Sequence, residues 1–382
     1  MVKAKSTAGL YIHIPFCGRK CLYCDFYSKV PRAGEIEAYI NALGIEARLR
    51  SKEEFGRFSY DSIFLGGGTP SLLSATQIRS LFKHIRSNYQ IAPSAEITIE
   101  CNPSSIQIEL LKAYQELGIN RISLGVQTFN DTHLEMLGRL HDSAEAKASF
   151  KEIKLAGFEN ISIDLIYGLP DQTIEEWRND LAQAVALRPT HISAYNLIIE
   201  PGTLFGKLYS QGKLELPPED EQSEMYEALN NDLGVAGFSR YELSNFAQPG
   251  FECQHNLKYW HLEPYLGLGP SAVSFDGETR VRNEANFDLY LKATYDKEPP
   301  PHEDETLEPE KLREEAIMMG LRLTEGLSCT ELRERFGYDI LSEKADAIRS
   351  LTDSGYLLLE NDRLKLAPKA LFISDEVIVR VI

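Results

Sequence analysis

The sequence predicts an α/β protein: a partial (β/α)6 barrel followed by a small C-terminal α+β module of winged-helix type. Three observations lead there. Short β-rich runs alternate with amphipathic helical stretches through the first half of the chain. That alternation stops after Leu197. From Leu307 onward, three helical stretches precede one apolar hairpin. Strands separated by helices are parallel and joined by right-handed crossovers. A domain averages about 150 residues, but α/β barrels run to roughly 250, so 382 residues suit one barrel and a smaller module.

The β-runs are Leu10–Ile14, Ser62–Leu65, Glu96–Glu100, Arg121–Leu124, Ile161–Ile166 and His191–Leu197. The helical stretches between them are Ile36–Leu49, Ala75–Tyr89, Ile106–Leu117, Ala144–Leu155 and Ile174–Leu187. In the third, Ile106, Leu110, Tyr114 and Leu117 fall along one face at helical spacing. Six units fall short of a closed barrel, which makes an open doubly wound sheet the alternative. Pro201–Gly202, Gly206 and Pro217–Pro218 then mark turns, and Gln222–Leu233 reads as a helix. A segment rich in aromatics and glycine follows, Tyr241 to Gly277. The acidic, proline-rich run Asp296–Thr306 reads as a linker. Beyond it lie helices at Leu307–Leu323, Thr330–Phe336 and Ser342–Ser354, then Tyr356–Leu366 with turn residues Asn361–Asp362. The expected division is 1–240 for the barrel, 241–300 for the aromatic segment and linker, and 301–382 for the C-terminal module.

Net charge is −17, from 40 basic and 57 acidic residues. Such a surface repels phosphate backbones and anionic lipid, so neither nucleic acid nor a membrane surface is an expected partner. From Leu307 on, 15 acidic residues stand against 11 basic, which argues against DNA binding despite the winged-helix pattern. No apolar run approaches the roughly 20 residues of a spanning helix. The start, MVKAKSTAGLYIHIPFC, shows no small-residue cleavage site after its apolar run. A cytoplasmic location is expected.

Three of six cysteines crowd together as Cys17-Gly-Arg-Lys-Cys21-Leu-Tyr-Cys24, directly after the first β-run and Pro15. A large protein of the cytoplasm seldom needs disulfides, so such a cluster indicates a metal or redox site. In a barrel, the loops after the strands form the active-site face. Three thiolates on one short loop suit three irons of a cubic [4Fe–4S] cluster and leave the fourth iron open to a ligand. S-adenosylmethionine (SAM) fits that vacancy, because its amino and carboxylate groups can chelate iron. Zinc would need a fourth Cys or His nearby.

The C-x3-C-x2-C spacing after YIHIPFC resembles the radical-SAM superfamily, and the likeness extends past the cysteines. Gly66-Gly67-Gly68-Thr69-Pro70 follows the second β-run and is similar to that family's GGGTP motif, which grips the SAM amino group. Alone, a glycine run is only a turn; without Cβ atoms, it also lets backbone amides approach a ligand. Glu100 closes the third β-run, Gln127 the fourth, Arg139 lies in LGRLH and Asp164 in SIDLIYGLP. The resemblance implies that these four contact SAM, as Gly67, Gly68 and Thr69 do, with Tyr11, Tyr23 and Ile198 nearby. Carboxylate and amide groups suit ribose hydroxyls and the amino group, and arginine suits the carboxylate.

Within the superfamily the chain resembles the coproporphyrinogen dehydrogenase (HemN-like) branch over nearly its full length. That branch holds both dehydrogenases and heme chaperones. The dehydrogenases have a fourth cysteine two places after the third, where this chain has Phe26. His255-Asn256-Leu257-Lys258-Tyr259-Trp260 is similar to the HNxxYW motif of the chaperone group, which implies heme binding at His255. A neutral imidazole is a ready axial ligand and the aromatics offer flat faces to a porphyrin. Taken without the resemblance, the six residues read as a packed turn. Cys253 and His261 flank them, whereas Cys101 and Cys329 read as small buried hydrophobes. The resemblance therefore implies a [4Fe–4S] cluster, SAM and heme as cargo, with apo-hemoproteins such as respiratory enzymes as acceptors. The alternative is an oxygen-independent coproporphyrinogen III dehydrogenase.

Overall fold

The computed structural model describes residues 7–382, so the first six residues of the N-terminal stretch lie outside the described residues. The barrel half runs β1 (Thr7–Ile14), α1 (Glu35–Arg50), β2 (Ser59–Gly67), α2 (Ala75–Asn88), β3 (Gln90–Cys101), α3 (Ile108–Glu116) and β4 (Arg121–Gln127). It continues with α4 (Asp131–Leu137), α5 (Ser143–Leu155), β5 (Asn160–Tyr167), α6 (Ile174–Leu187) and β6 (His191–Asn196). Strands β1 to β6 pair in parallel and in sequence order. This is the partial (β/α)6 barrel that the alternation predicts. Capping boxes start three of its helices: Ser74 with Gln77, Asp142 with Glu145, and Thr173 with Glu176. Each satisfies amide groups that a helix start leaves unpaired.

The two faces of this sheet differ sharply. Leu10, Ile12, Ile63, Leu65, Ile97, Ile99, Ile122, Leu124, Ile161 and Ile163 are buried on the face that meets the helices. The alternate residues form a polar inner face: Tyr11, His13, Ser62, Thr98, Glu100, Arg121, Ser123, Ser162, Asp164 and His191. A strand's period of two separates the sets. A barrel built as a packed core fills its interior with branched apolar side chains; the polar interior here suits a polar ligand.

After the barrel come α7 (Leu204–Ser210), α8 (Glu219–Val235), β7 (Ser239–Arg240), β8 (Asn245–Ala247), α9 (Gln254–Trp260), β9 (Tyr265–Leu268), β10 (Val273–Phe275), β11 (Thr279–Asn283), α10 (Phe287–Tyr295) and β12 (His302–Thr306). These strands extend the barrel sheet at both edges, in the order β12-β11-β10-β9-β1-β2-β3-β4-β5-β6-β8-β7. Two expectations change here. Residues 296–306, read as a linker, end in strand β12, which pairs antiparallel with β11 from His302 to Thr306. A lone acidic strand matches Arg280 and Arg282 across the ladder: Arg280 faces Glu305, and Arg282 faces Glu303. The aromatic segment 241–277 is likewise woven into the sheet and contributes β8, β9 and β10.

The C-terminal unit comprises α11 (Pro309–Arg322), β13 (Leu327–Ser328), α12 (Cys329–Phe336), α13 (Ile340–Glu343), α14 (Ala345–Asp353), β14 (Leu357–Glu360), β15 (Arg363–Leu366) and α15 (Ser374–Val379). The β14–β15 hairpin turns at Asn361 and Asp362, both at positive φ, and β13 pairs with β15. The helix expected over Ser342–Ser354 is broken at Lys344. Among the described residues, no helix is long and apolar enough to cross a membrane.

Candidate cluster and cofactor site

The cysteine loop leaves β1 at its C-terminal end and is closed at its neck. The Cys17 amide donates to the Lys29 carbonyl (3.0 Å), and the Lys29 amide donates to Pro15 (2.9 Å). His13 tightens the same neck: its Nε2 lies 2.8 Å from the Tyr27 carbonyl. A carbonyl only accepts, so Nε2 carries the proton and Nδ1 accepts from the Tyr11 hydroxyl at 3.0 Å. Burial keeps this imidazole neutral by lowering its pKa. The far side of the loop docks on α4 and α7, two helices that the sequence reading missed. The Leu22 amide donates to Leu137 (3.2 Å), and its carbonyl accepts from Phe205 (3.0 Å). Short helices of seven residues leave little periodicity to read.

Cys17, Cys21 and Cys24 are half-buried free thiols. Burial, together with the neighbouring Cys21 and Cys17, pushes the Cys24 thiol up to about 11. Three free cysteines on one short loop are a donor set of the kind that an iron–sulfur cluster takes. Cationic and hydroxyl donors already approach the sulfurs: Arg139 Nη1 lies 3.5 Å from Cys21 Sγ, and Thr69 Oγ1 lies 3.7 Å from Cys17 Sγ. Arg139 also donates to the Gly125 carbonyl at 2.7 Å, while its buried Nε has no partner among the described residues. That unmatched donor beside the sulfurs suits a ligand carboxylate.

The glycine turn is demanded by packing. A Cβ on Gly68 would stand 2.5 Å from the Phe16 carbonyl oxygen and 2.8 Å from that of Ile14. Gly67 has φ 104°, and a Cβ there would meet the His13 ring at 2.5 Å. The amides expected to face a ligand are engaged within the protein. Gly67 N–H donates to Glu100 Oε2 (3.1 Å), Gly68 N–H to Ile14 (2.8 Å) and Thr69 N–H to Phe16 (2.7 Å). Any ligand contact from this turn therefore comes from other atoms.

Deeper on the inner face, burial pushes Glu100 up to about 8, and nearby Asp164 adds to the rise. Burial raises Asp164 as well, although Ser123 Oγ donates to both its oxygens at 2.9 Å. Two carboxyl groups facing one interior space suit a cationic or hydroxyl-bearing ligand. Tyr11 stacks 6.3 Å from Phe64 beside them. Gln127 takes positive φ (71°), and its amide lies where a Cβ on Gly125 would be 3.0 Å away, next to Arg139. Tyr23 packs 6.4 Å from Phe205, close to Arg139 and two of the thiols. Ile198, 69% exposed, stands just past β6. Phe64, Ser123 and His13 were not singled out from sequence. Ser123 and Phe64 share the inward register of Asp164 and Glu100, which is the signal that could have found them.

Helix α9 lies toward the opposite end of the strands. Its His255 is 1% exposed, with Nδ1 3.0 Å from Ser62 Oγ and Nε2 2.9 Å from the Tyr259 hydroxyl. The ring stacks on Phe64 at 5.4 Å, and burial pushes its pKa down to about 3. Glu96 caps this helix and accepts from the amides of Gln254 and His255, both at 3.1 Å. As placed, His255 offers no free nitrogen to a metal. Cys253 is buried beside the same carboxylate, with Sγ 3.5 Å from Glu96 Oε1. Cys101 and Cys329 are buried, as small hydrophobes would be.

The Radical SAM superfamily model matches residues 11–184, and the HemN C-terminal domain model matches residues 307–373. A Bacillus subtilis protein named Heme chaperone HemW is 36% identical over 370 residues, covering 96% of this chain and 97% of that protein. The Escherichia coli protein of the same name is 40% identical over 304 residues, 76% of this chain and 78% of its own. The solved structure of E. coli coproporphyrinogen III oxidase (HemN), described as a radical SAM enzyme, superposes with a TM-score of 0.85. It covers 99% of this chain and 90% of that one at 24% identity, a likeness of fold. With its cysteine loop and glycine turn inside the matched region, this chain belongs to the HemN-like branch of the radical SAM superfamily, alongside the HemW proteins.

Proposed function

We propose that the protein is a heme chaperone: it holds a [4Fe–4S] cluster, binds SAM beside it, and carries heme to apo-hemoproteins such as respiratory enzymes. The observation that carries this is near-full-length identity of 36% to proteins named for that role. Phe26 agrees with it: at 64% exposure it stands free where a dehydrogenase has a fourth cysteine.

Cys17, Cys21 and Cys24 are the proposed cluster ligands. Arg139 and Thr69 border the sulfurs, Gln127 lies beside Arg139, and Glu100, Asp164, Tyr11 and the turn at Gly67 and Gly68 line the inner face. In this reading, these residues with Tyr23 and Ile198 receive SAM. Arg139 holds its carboxylate, and Glu100 and Asp164 hold its cationic or hydroxyl groups. Bound together, cluster and SAM supply one-electron chemistry that no side chain provides. The chain's own part is to bind, orient and keep water from that pair.

The test uses protein reconstituted anaerobically with iron and sulfide. Cys21→Ser is expected to lose cluster iron and sulfide, and full retention overturns the ligand set. Hemin titration is expected to give a shifted Soret band. Incubation with dithionite, SAM and coproporphyrinogen III is expected to give no vinyl product; sustained turnover would make the protein a dehydrogenase instead.

A further inference from the structure

A chain of hydrogen bonds runs through the barrel interior, from the inner-face carboxyl pair toward the end of the strands remote from the cysteine loop. Ser162 on β5 and His191 on β6 face each other across the sheet, and both are fully buried. Ser162 Oγ donates to Asp164 Oδ1 (3.1 Å) and lies 2.9 Å from His191 Nδ1. The other ring nitrogen, Nε2, lies 2.9 Å from the hydroxyl of the half-buried Tyr241, just past β7. The Cys253 amide donates to that hydroxyl oxygen at 3.4 Å. The Cys253 thiol donates to Glu96 (3.5 Å), which stands on the wall of an open cavity of about 1030 Å³ beneath the barrel.

These bonds share one direction. The Tyr241 oxygen accepts from an amide, so its own proton points to His191 Nε2. That nitrogen accepts, so Nδ1 holds the ring proton and donates to Ser162, which donates to Asp164. Aligned bonds of this kind polarise one another. Each link is a hydroxyl or an imidazole, and such groups can take a proton on one side while passing one on at the other. The imidazole must be neutral to do so. Burial and the Arg121 guanidinium on β4 hold it neutral by lowering its pKa well below 6.5. The other charged and titratable groups around the chain are Glu96, Glu242 and Cys253 near Arg121 and Tyr241, with Glu100 and Tyr195 near Asp164.

We propose that Tyr241, His191 and Ser162 form a proton relay that serves Asp164 and its partner Glu100 from the back of the barrel. The relay rests on the SAM reading above. SAM that enters beside the cysteine loop fills that end of the interior. The carboxyl pair holds a shared proton near neutrality and must shed it to pair with a cationic ligand. With the mouth filled, the buried chain is the route that remains. Release starts with every bond reversed and the ring proton on Nε2. Asp164 passes its proton to Ser162, Ser162 passes its own to His191 Nδ1, Nε2 passes its proton to Tyr241, and Tyr241 gives one to water. One proton leaves, Asp164 is left charged, and every link keeps its original number of protons. The bond directions in the structure are those that follow release.

The test mixes SAM with full-length reconstituted protein near neutral pH by stopped flow, reading binding from protein fluorescence and protons from an indicator dye. In the wild-type chain, proton release is expected to keep pace with binding. Tyr241→Phe removes the outer hydroxyl. His191→Gln keeps a polar side chain in the same place, but an amide cannot hand a proton from one side to the other. Each variant is expected to slow release relative to binding by at least about tenfold, with the number of protons released at equilibrium near wild type. A purely structural role for these side chains changes SAM affinity without separating the two rates. Release that keeps pace with binding in both variants overturns the relay and leaves the SAM site standing, as does a wild-type chain that binds SAM and releases no proton. A wild-type chain that binds no SAM removes the SAM reading, and the relay with it.

Discussion

Replacing His255 by alanine separates an anchoring ring from a heme ligand. In the structure the substitution removes two hydrogen bonds, at 3.0 and 2.9 Å, and strands a fully buried Ser62 hydroxyl. Each bond contributes about 1 kcal/mol net, and a stranded buried partner costs a further 1–3 kcal/mol or so. Lost stacking on Phe64 and the space left behind add roughly 1 kcal/mol. Relaxation recovers part of this, leaving about 3 kcal/mol against the local stability of α9. Hydrogen exchange reads that number directly, as roughly a hundredfold loss of protection in the amides of 254–260. The Soret band of hemin is expected to survive with its ligand signature intact. Unaltered exchange at α9 together with a lost signature would refute the reasoning and return His255 to the iron.

Other outcomes follow from the same geometry. Because Glu100 is raised to about 8, it holds a proton near neutrality in the ligand-free chain. A cationic ligand favours the charged form, so SAM affinity is expected to rise with pH and level off above about 8, releasing a proton on binding. Calorimetry in buffers of different ionisation enthalpy measures it, and Glu100→Gln is expected to flatten the profile. His255 and His141 are depressed to about 3 and about 4 from 6.5, so the unfolded chain takes up their protons first as pH falls. Their contribution is complete above 6.5 and is lost as pH drops toward 3; urea midpoints across that window are expected to fall, less steeply in His255→Phe. Gly68→Ala drives a methyl against two carbonyl oxygens at 2.5 and 2.8 Å. It is expected to cost about 1–3 kcal/mol and to lower the cluster iron that reconstitution incorporates, whereas Gly234→Ala, in open space and outside the left-handed region, is expected to leave that iron content unchanged.

Much of this was written in the order of residues. Period-two alternation separated Leu10, Ile12 and Ile14 from Tyr11 and His13, so both the strand and its inward face follow from sequence. The cysteine spacing likewise fixes three thiols on one loop, because so few residues cannot span far. The acidic run 296–306 misled because charge and proline also mark an edge strand, and only the arginines of β11 across the ladder distinguish the two. Helices α4 and α7 stayed hidden because each is too short to show a period, yet they brace the cysteine loop through Leu22. His255 and His261 are the clearest case. The sequence by itself determined that two histidines flank a Tyr–Trp pair, and the resemblance singled out His255. Only tertiary structure showed which ring is free, because a ring's availability depends on what fills the space around it. Ser62 and Tyr259 take both nitrogens of His255, whereas His261 is exposed between two cavities.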